Sequence, residues 1–206
     1  MSAPSFSIFG ISGSFRGTSF NSMLMRRAVA LAPEDIEFDL FADIGEIPHF
    51  SQDREGEMTP AVVDDFRARI EAADAILVAT PEYNGSMPGV LKNALDWASR
   101  PAGESVLAGK PAAVLGASPG RFGASRAQAD VRKVLTAIGA EVVDQELPIA
   151  RVQEVFDEQG AVIDEGSELR IAAHVALLVE FAGGPTPDEP KELATYSLEC
   201  QRALAG

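Results

Sequence analysis

Residues 75–80, AILVAT, form an unbroken run of apolar and β-favouring side chains. A strand with one face in water alternates polar and apolar positions. A continuous run instead marks a strand buried on both faces, at the centre of a parallel sheet covered by helices on either side. Such a strand needs packing on both of its faces.

The rest of the chain supplies that packing. Strand-like runs at 5–11, 36–41 and 111–117, and one opening at 141–144, alternate with helical patterns at 19–31, 60–72, 88–99, 123–138 and 167–181. Met23, Leu24, Ala28 and Leu31 fall at helical spacing, Pro33 closes that segment, and Pro60 suits a first helical turn. The expected fold class is α/β: a three-layer doubly wound five-stranded parallel sheet with the flavodoxin-like order 2-1-3-4-5. In that order the ends of strands one and three meet at a topological switch point, where ligands bind.

A chain of 206 residues suits one such domain, with 46% hydrophobic and 23% charged residues. Residues 1–183 are expected to form it. Gly183, Gly184 and Pro185 then break the chain, and residues 188–204 read as a helical tail with Leu193, Tyr196, Cys200 and Leu204 on one side. That stripe either packs back on its own domain or acts as an oligomerisation arm on a second subunit; the pattern allows both. A net charge of −14 argues against nucleic acid or an anionic membrane as partner. One cysteine, no signal-like start and no apolar run near the ~20 residues that span a bilayer give the expectation of a cytoplasmic protein without membrane insertion. His49 and His174 are isolated and no metal-ligand spacing occurs, so no metal site is expected.

The segment after the first strand runs Gly13-Ser14-Phe15-Arg16-Gly17-Thr18-Ser19-Phe20-Asn21 and enters a helix. Helix-start amides lack acceptors and carry partial positive charge, which suits a phosphate. Ser14, Thr18, Ser19 and Asn21 add short donors, and Arg16 adds a charge-assisted contact. Remote carboxylates are screened beyond ~8 Å at physiological salt, so a phosphate is tolerated even in an acidic chain. The loop lacks the GK[ST] of a Walker A motif and the GxGxxG dinucleotide fingerprint.

After the central strand comes Pro81-Glu82-Tyr83-Asn84-Gly85-Ser86-Met87-Pro88-Gly89. Its glycines let backbone approach a ligand closely, Tyr83 offers an aromatic surface and Asn84 a two-way hydrogen-bonding group. Such a loop suits the carbonyls and ring nitrogens of a flat heterocycle. A third small-residue loop, residues 116–123, follows the fourth strand and brings Ser118 and Gly120 to the same crevice, with Arg121 and Arg126 as possible partners of a nucleotide phosphate. Phosphate at one loop and a flat ring at the next point to a flavin mononucleotide.

With these residues in view, the chain resembles the NADPH-dependent FMN reductase family, in its quinone and chromate reductase branch. The pattern Gly-Ser-x-Arg-x-x-Ser-x-Asn is met at Gly13, Ser14, Arg16, Ser19 and Asn21. The pattern PEYN-x-S-x-P-G-x-LKNA-x-DW is met without a break from Pro81 to Trp97, and Ser118, Gly120, Gly123, Arg126 and Gln128 match a third. The resemblance implies non-covalent FMN, with NADPH or NADH as hydride donor in a ping-pong exchange with a quinone or similar small acceptor. It also implies a homodimer or homotetramer. The implied cofactor-binding set is Ser14, Arg16, Thr18, Ser19, Phe20, Asn21, Pro81, Glu82, Tyr83, Asn84, Gly85, Ser118 and Gly120. No side chain is assigned as a catalytic acid or base, because the cofactor carries the chemistry. The alternative is a flavodoxin-type electron carrier that does not oxidise NAD(P)H directly. A phosphorylated receiver domain shares the topology but needs acidic residues where this chain has Gly10 to Gly13 and Thr80-Pro81.

Overall fold

The computed structural model describes residues 6–157 and 160–185. Strands β1 (Phe6–Ser12), β2 (Ile36–Phe41), β3 (Ala75–Ala79), β4 (Pro111–Ala117) and β5 (Glu141–Ile149) form one sheet of order β2-β1-β3-β4-β5. Every neighbouring pair is parallel, and Val78 at the centre stands between Ile11 of β1 and Val114 of β4. The expected order and layering are present.

Helices α1 (Phe20–Ala30), α2 (Ala61–Ala72), α3 (Gly89–Ala98), α4 (Ser125–Ile138) and α6 (Glu165–Phe181) flank the sheet, with a single turn, α5 (Val152–Val155), after β5. All five residues of β3 are buried, and strand periodicity sorts them between two cores. Ile76 and Val78 join Phe66 of α2, Leu91 of α3 and Val131 of α4. Ala75, Leu77 and Ala79 join Leu24 of α1 with Ile171 and Val175 of α6. Neither layer is dispensable, since each covers one face of the same strand.

Where the elements differ from expectation, local chemistry explains it. β5 continues past Asp144 to Ile149; as the edge strand it leaves Asp144 and Gln145 in water, which hides its strand character in the sequence. α4 starts at Ser125 rather than Gly123, because Gly123 and Ala124 sit at φ of 54° and 62°. α6 starts at Glu165, before Ser167: Asp164 is its N-cap, its carboxylate accepting from the Ser167 amide at 2.8 Å. The expected tail helix at 188–204 and Ser5 lie outside the described residues.

His174 of α6 is fully packed against the sheet. Its Nε2 lies 3.0 Å from the Val114 carbonyl, which only accepts, so Nε2 carries a proton and donates. Burial pushes this imidazole down to about 4, against a smaller upward pull from that backbone bond. Among the described residues no helix is long and apolar enough to cross a membrane.

Candidate functional site

β1, β3 and β4 are adjacent in the sheet, so the loops leaving their C-terminal ends lie side by side. Backbone bonds extend the sheet ladder past the strands and hold those loops in place. The Gly13 amide donates to Ala79 O at 2.7 Å, Thr80 to Leu115 O at 2.9 Å and Ser118 to Ile149 O at 3.1 Å.

The first loop begins with a hydroxyl relay. The Ser12 hydroxyl meets Ser14 backbone atoms at 3.3 and 3.4 Å and the Ser22 hydroxyl at 3.2 Å. Ser19 is the N-cap of α1, its Oγ accepting from the Ser22 amide at 3.4 Å. The amides of Gly17, Thr18, Phe20 and Asn21 find no acceptor among the described residues, and these are the donors that a helix start leaves open. Arg16 and Thr18 are exposed, and Arg16 forms no ion pair among the described residues despite 31 acidic residues in the chain. An open amide cluster beside an unneutralised guanidinium fits a phosphate monoester.

In two residues of the expected cofactor-binding set, the side chain, unlike the backbone amide, is engaged elsewhere. Asn21 is buried, and its side-chain amide grips the backbone of Ala117, donating to the carbonyl at 3.0 Å and accepting from the amide at 2.9 Å. It fastens the start of α1 to the end of β4. Phe20 is part-buried and packs against the core that α1, α6 and one face of the sheet share.

The second loop is a tight two-residue turn. Tyr83 and Ser86 exchange backbone bonds at 3.0 and 3.1 Å, with Asn84 at φ 54° and Gly85 at φ 79°. Positive φ at both central residues is the type I′ geometry that Asn-Gly favours. The turn leaves Tyr83 about half exposed and the amides of Glu82, Asn84 and Gly85 without acceptors among the described residues. Its flanks are pinned to α4: the Glu82 carboxylate accepts from the Arg126 amide at 3.2 Å, and Ser86 Oγ donates to Asp130 at 2.6 Å. Pro81 is buried, its carbonyl taken by the Thr80 hydroxyl at 2.9 Å.

Gln128 organises the third loop from beneath, donating to Gly123 O and accepting from the Leu147 amide, both at 3.0 Å. Ser118 and Gly120 accept at their carbonyls from the Val152 and Arg151 amides at 3.2 and 3.1 Å. Ser118 is half-buried and Gly120 is exposed. The sequence reading left out Ser12, Asp130 and the Arg151–Val152 turn, whose roles rest on contacts between distant segments. In α3, Asn93 bonds the backbone of Ile47, Pro48 and Phe50, and Trp97 Nε1 donates to Pro48 O at 2.8 Å, so both serve the fold.

A doubly wound parallel sheet with an anion-ready helix start at its switch point defines a flavodoxin-like nucleotide-binding protein. Residues 6–154 match the model of the NADPH-dependent FMN reductases, and the chain belongs to that family. It is 48% identical over 159 residues to an NAD(P)H-dependent FMN reductase of Pseudomonas aeruginosa, a match covering 77% of this chain and 85% of the relative. A 2-hydroxy-1,4-benzoquinone reductase of a Burkholderia species is 46% identical over 154 residues, 74% of this chain and 83% of that one. Among solved structures, FerB, a flavoenzyme NAD(P)H:(acceptor) oxidoreductase from Paracoccus denitrificans, superposes with a TM-score of 0.78 at 38% identity, covering 86% of this chain and 97% of that one.

Proposed function

We propose that this chain is an FMN-dependent oxidoreductase that moves electrons from NAD(P)H to quinones or similar small acceptors. The observation that carries the reading is the open amide cluster at the start of α1 beside Arg16. Family membership and relatives named for FMN and quinone reduction support it. FMN, when bound, would supply the two-electron chemistry between nucleotide and acceptor. The net change is balanced: NAD(P)H, one proton and a quinone give NAD(P)+ and a hydroquinone.

The protein's part is binding and orientation. Ser14, Arg16, Thr18 and Ser19, with the unpaired amides around them, hold the phosphate, and Asn21 keeps that loop against β4. Amides of Glu82, Asn84 and Gly85 and the loop carrying Ser118 and Gly120 present donors to the ring edge. The exposed aromatic side chains Phe15, Tyr83 and Phe122 give the mouth apolar surface for flat substrates. No side chain is required as acid, because the open mouth lets water supply the proton.

The test is anaerobic. Purified protein loaded with FMN is mixed with stoichiometric NADPH and then with benzoquinone, and the flavin absorbance is followed. Bleaching by NADPH and recovery with quinone are expected. A yellow protein that NADPH leaves unbleached is an electron carrier, and a protein that takes up no FMN ends the flavin reading.

A further inference from the structure

Helix α6 has an outer side that does not suit water. Its central stretch, residues 171–179, reads IAAHVALLV and holds no charged side chain. The inner side explains only part of this: Ile171, His174, Val175, Leu178 and Val179 are buried against the sheet layer. Leu169, Ala173, Leu177 and Phe181 recur at every fourth residue and form a second, outer ridge. Ala173 and Leu177 are half-buried, and Leu169 and Phe181 are exposed. Ile163, two residues before the helix, is exposed as well. Helices α2 and α4 behave differently, turning Asp64, Asp65, Glu71, Arg126 and Lys133 to water. A helix that is apolar all round is normally covered on both sides.

The chain carries a segment of the right length to cover it. α6 ends in a Schellman motif: Gly183 stands at φ 69°, its amide donates to Glu180 O at 3.0 Å, and the Gly184 amide donates to Val179 O at 2.8 Å. The helix therefore stops there. Residues 188–204 lie outside the described residues and place Leu193, Tyr196, Cys200 and Leu204 at helical spacing. As a helix, those 17 residues would span about 25 Å, matching the 17 residues of α6. The connection, residues 182–187, holds Gly183, Gly184, Pro185 and Pro187, and its length is within the about 2–8 residues usual between packed helices.

We propose that residues 188–204 fold back as a helix antiparallel to α6 and pack on its Leu169–Ala173–Leu177 ridge within the same subunit. Gly184 and Pro185 lie midway between the two stripes, so doubling back there sets Leu193 against Leu177, Tyr196 against Ala173 and Cys200 against Leu169. The bulkiest side chain of the tail stripe meets the smallest residue of the ridge, as ridge-into-groove packing requires. The end of the tail then arrives at the start of α6, beside exposed Ile163. The inference stands apart from the flavin reading, because neither helix carries a residue of the crevice.

The test uses the full chain and its single native cysteine, Cys200. Leu169→Cys is oxidised with copper–phenanthroline at low protein concentration, and linkage is read by non-reducing electrophoresis and thiol titration. Rapid loss of both thiols within a monomer is expected, since a disulfide needs Cα atoms within about 7 Å. Glu180→Cys, about 17 Å from residue 169 along α6, should link to Cys200 at least tenfold more slowly. Both substituted sites are exposed, so the native fold should persist. Leu193→Asp should slow the Leu169→Cys link by a similar factor and, in the otherwise unaltered chain, lower Tm by about 5 °C. A covalent dimer would make the tail an arm onto a second copy and overturn the inference. Equal rates at residues 169 and 180, thiols that stay free at both, or a link and Tm that ignore Leu193→Asp would overturn it too.

Discussion

Asn21→Ala separates a residue that touches ligand from one that holds the site together. The substitution removes two hydrogen bonds, at 3.0 and 2.9 Å, and leaves the buried backbone amide and carbonyl of Ala117 without that partner. An unsatisfied buried polar group costs about 1–3 kcal/mol, so two give a loss on the order of 3 kcal/mol. For a domain of this size each kcal/mol lowers Tm by about 2–4 °C, which places the expected fall near 10 °C. Thermal and urea unfolding of the FMN-free protein measure it, and FMN titration measures the accompanying loss of affinity. Asn21→Asp should be no rescue, because a carboxylate keeps the acceptor for the Ala117 amide but turns an oxygen on the carbonyl. A direct phosphate ligand would behave in the opposite way, weakening FMN while the FMN-free protein melted within about 2 °C of the unaltered one. That outcome would refute the tether.

Arg16→Ala should weaken FMN by about ten- to a hundredfold, with a shallower dependence on salt. The FMN-free Tm should stay unchanged, because the side chain is exposed and forms no ion pair among the described residues. Gly123→Ala should destabilise by several times the about 1 kcal/mol typical of a substitution, read by urea unfolding. Its Cβ would meet backbone atoms of Ile149 and Ala150 at 2.7–2.8 Å, at a φ of 54°. For His174, the folded imidazole titrates near 4 and an unfolded one near 6.5. Below 6.5 the unfolded chain binds the extra proton, so the contribution is complete above that pH and drains away as pH falls toward 4. Between pH 7.5 and 5 the loss is about 2 kcal/mol, and His174→Gln should flatten that part of the stability profile in urea titrations.

The layering was legible because burial patterns of single segments carry it, and the strand order came with the flavodoxin-like class they indicate. The run at 75–80 announced a strand with helices on both faces, and β3 is buried throughout. The site was legible as loops: the segments after strands one, three and four follow adjacent strands, as expected. It was illegible where a role depends on a distant partner. Asn21 reads as one more phosphate donor until its amide meets Ala117, 96 residues away. Phe20 adjoins the loop in sequence, yet the helical turn carries its ring toward the core. Asp144 and Gln145 disguised the edge of β5, and the left-handed pair Gly123 and Ala124 shortened α4 in a way that composition did not signal.

The fastening of the three loops has an evolutionary consequence. The groups that fix them, Asn21, Glu82, Ser86 and Gln128, bond backbone or helix and leave the crevice lining to other residues. The side chains at its rim, Phe15, Tyr83 and Phe122, are exposed. Replacing a rim residue removes little buried surface, so the lineage can sample new acceptors with small losses of stability. Selection on the fasteners and drift at the rim would then proceed almost independently. A scaffold divided this way lets closely related chains share one cofactor cradle and diverge in what they reduce.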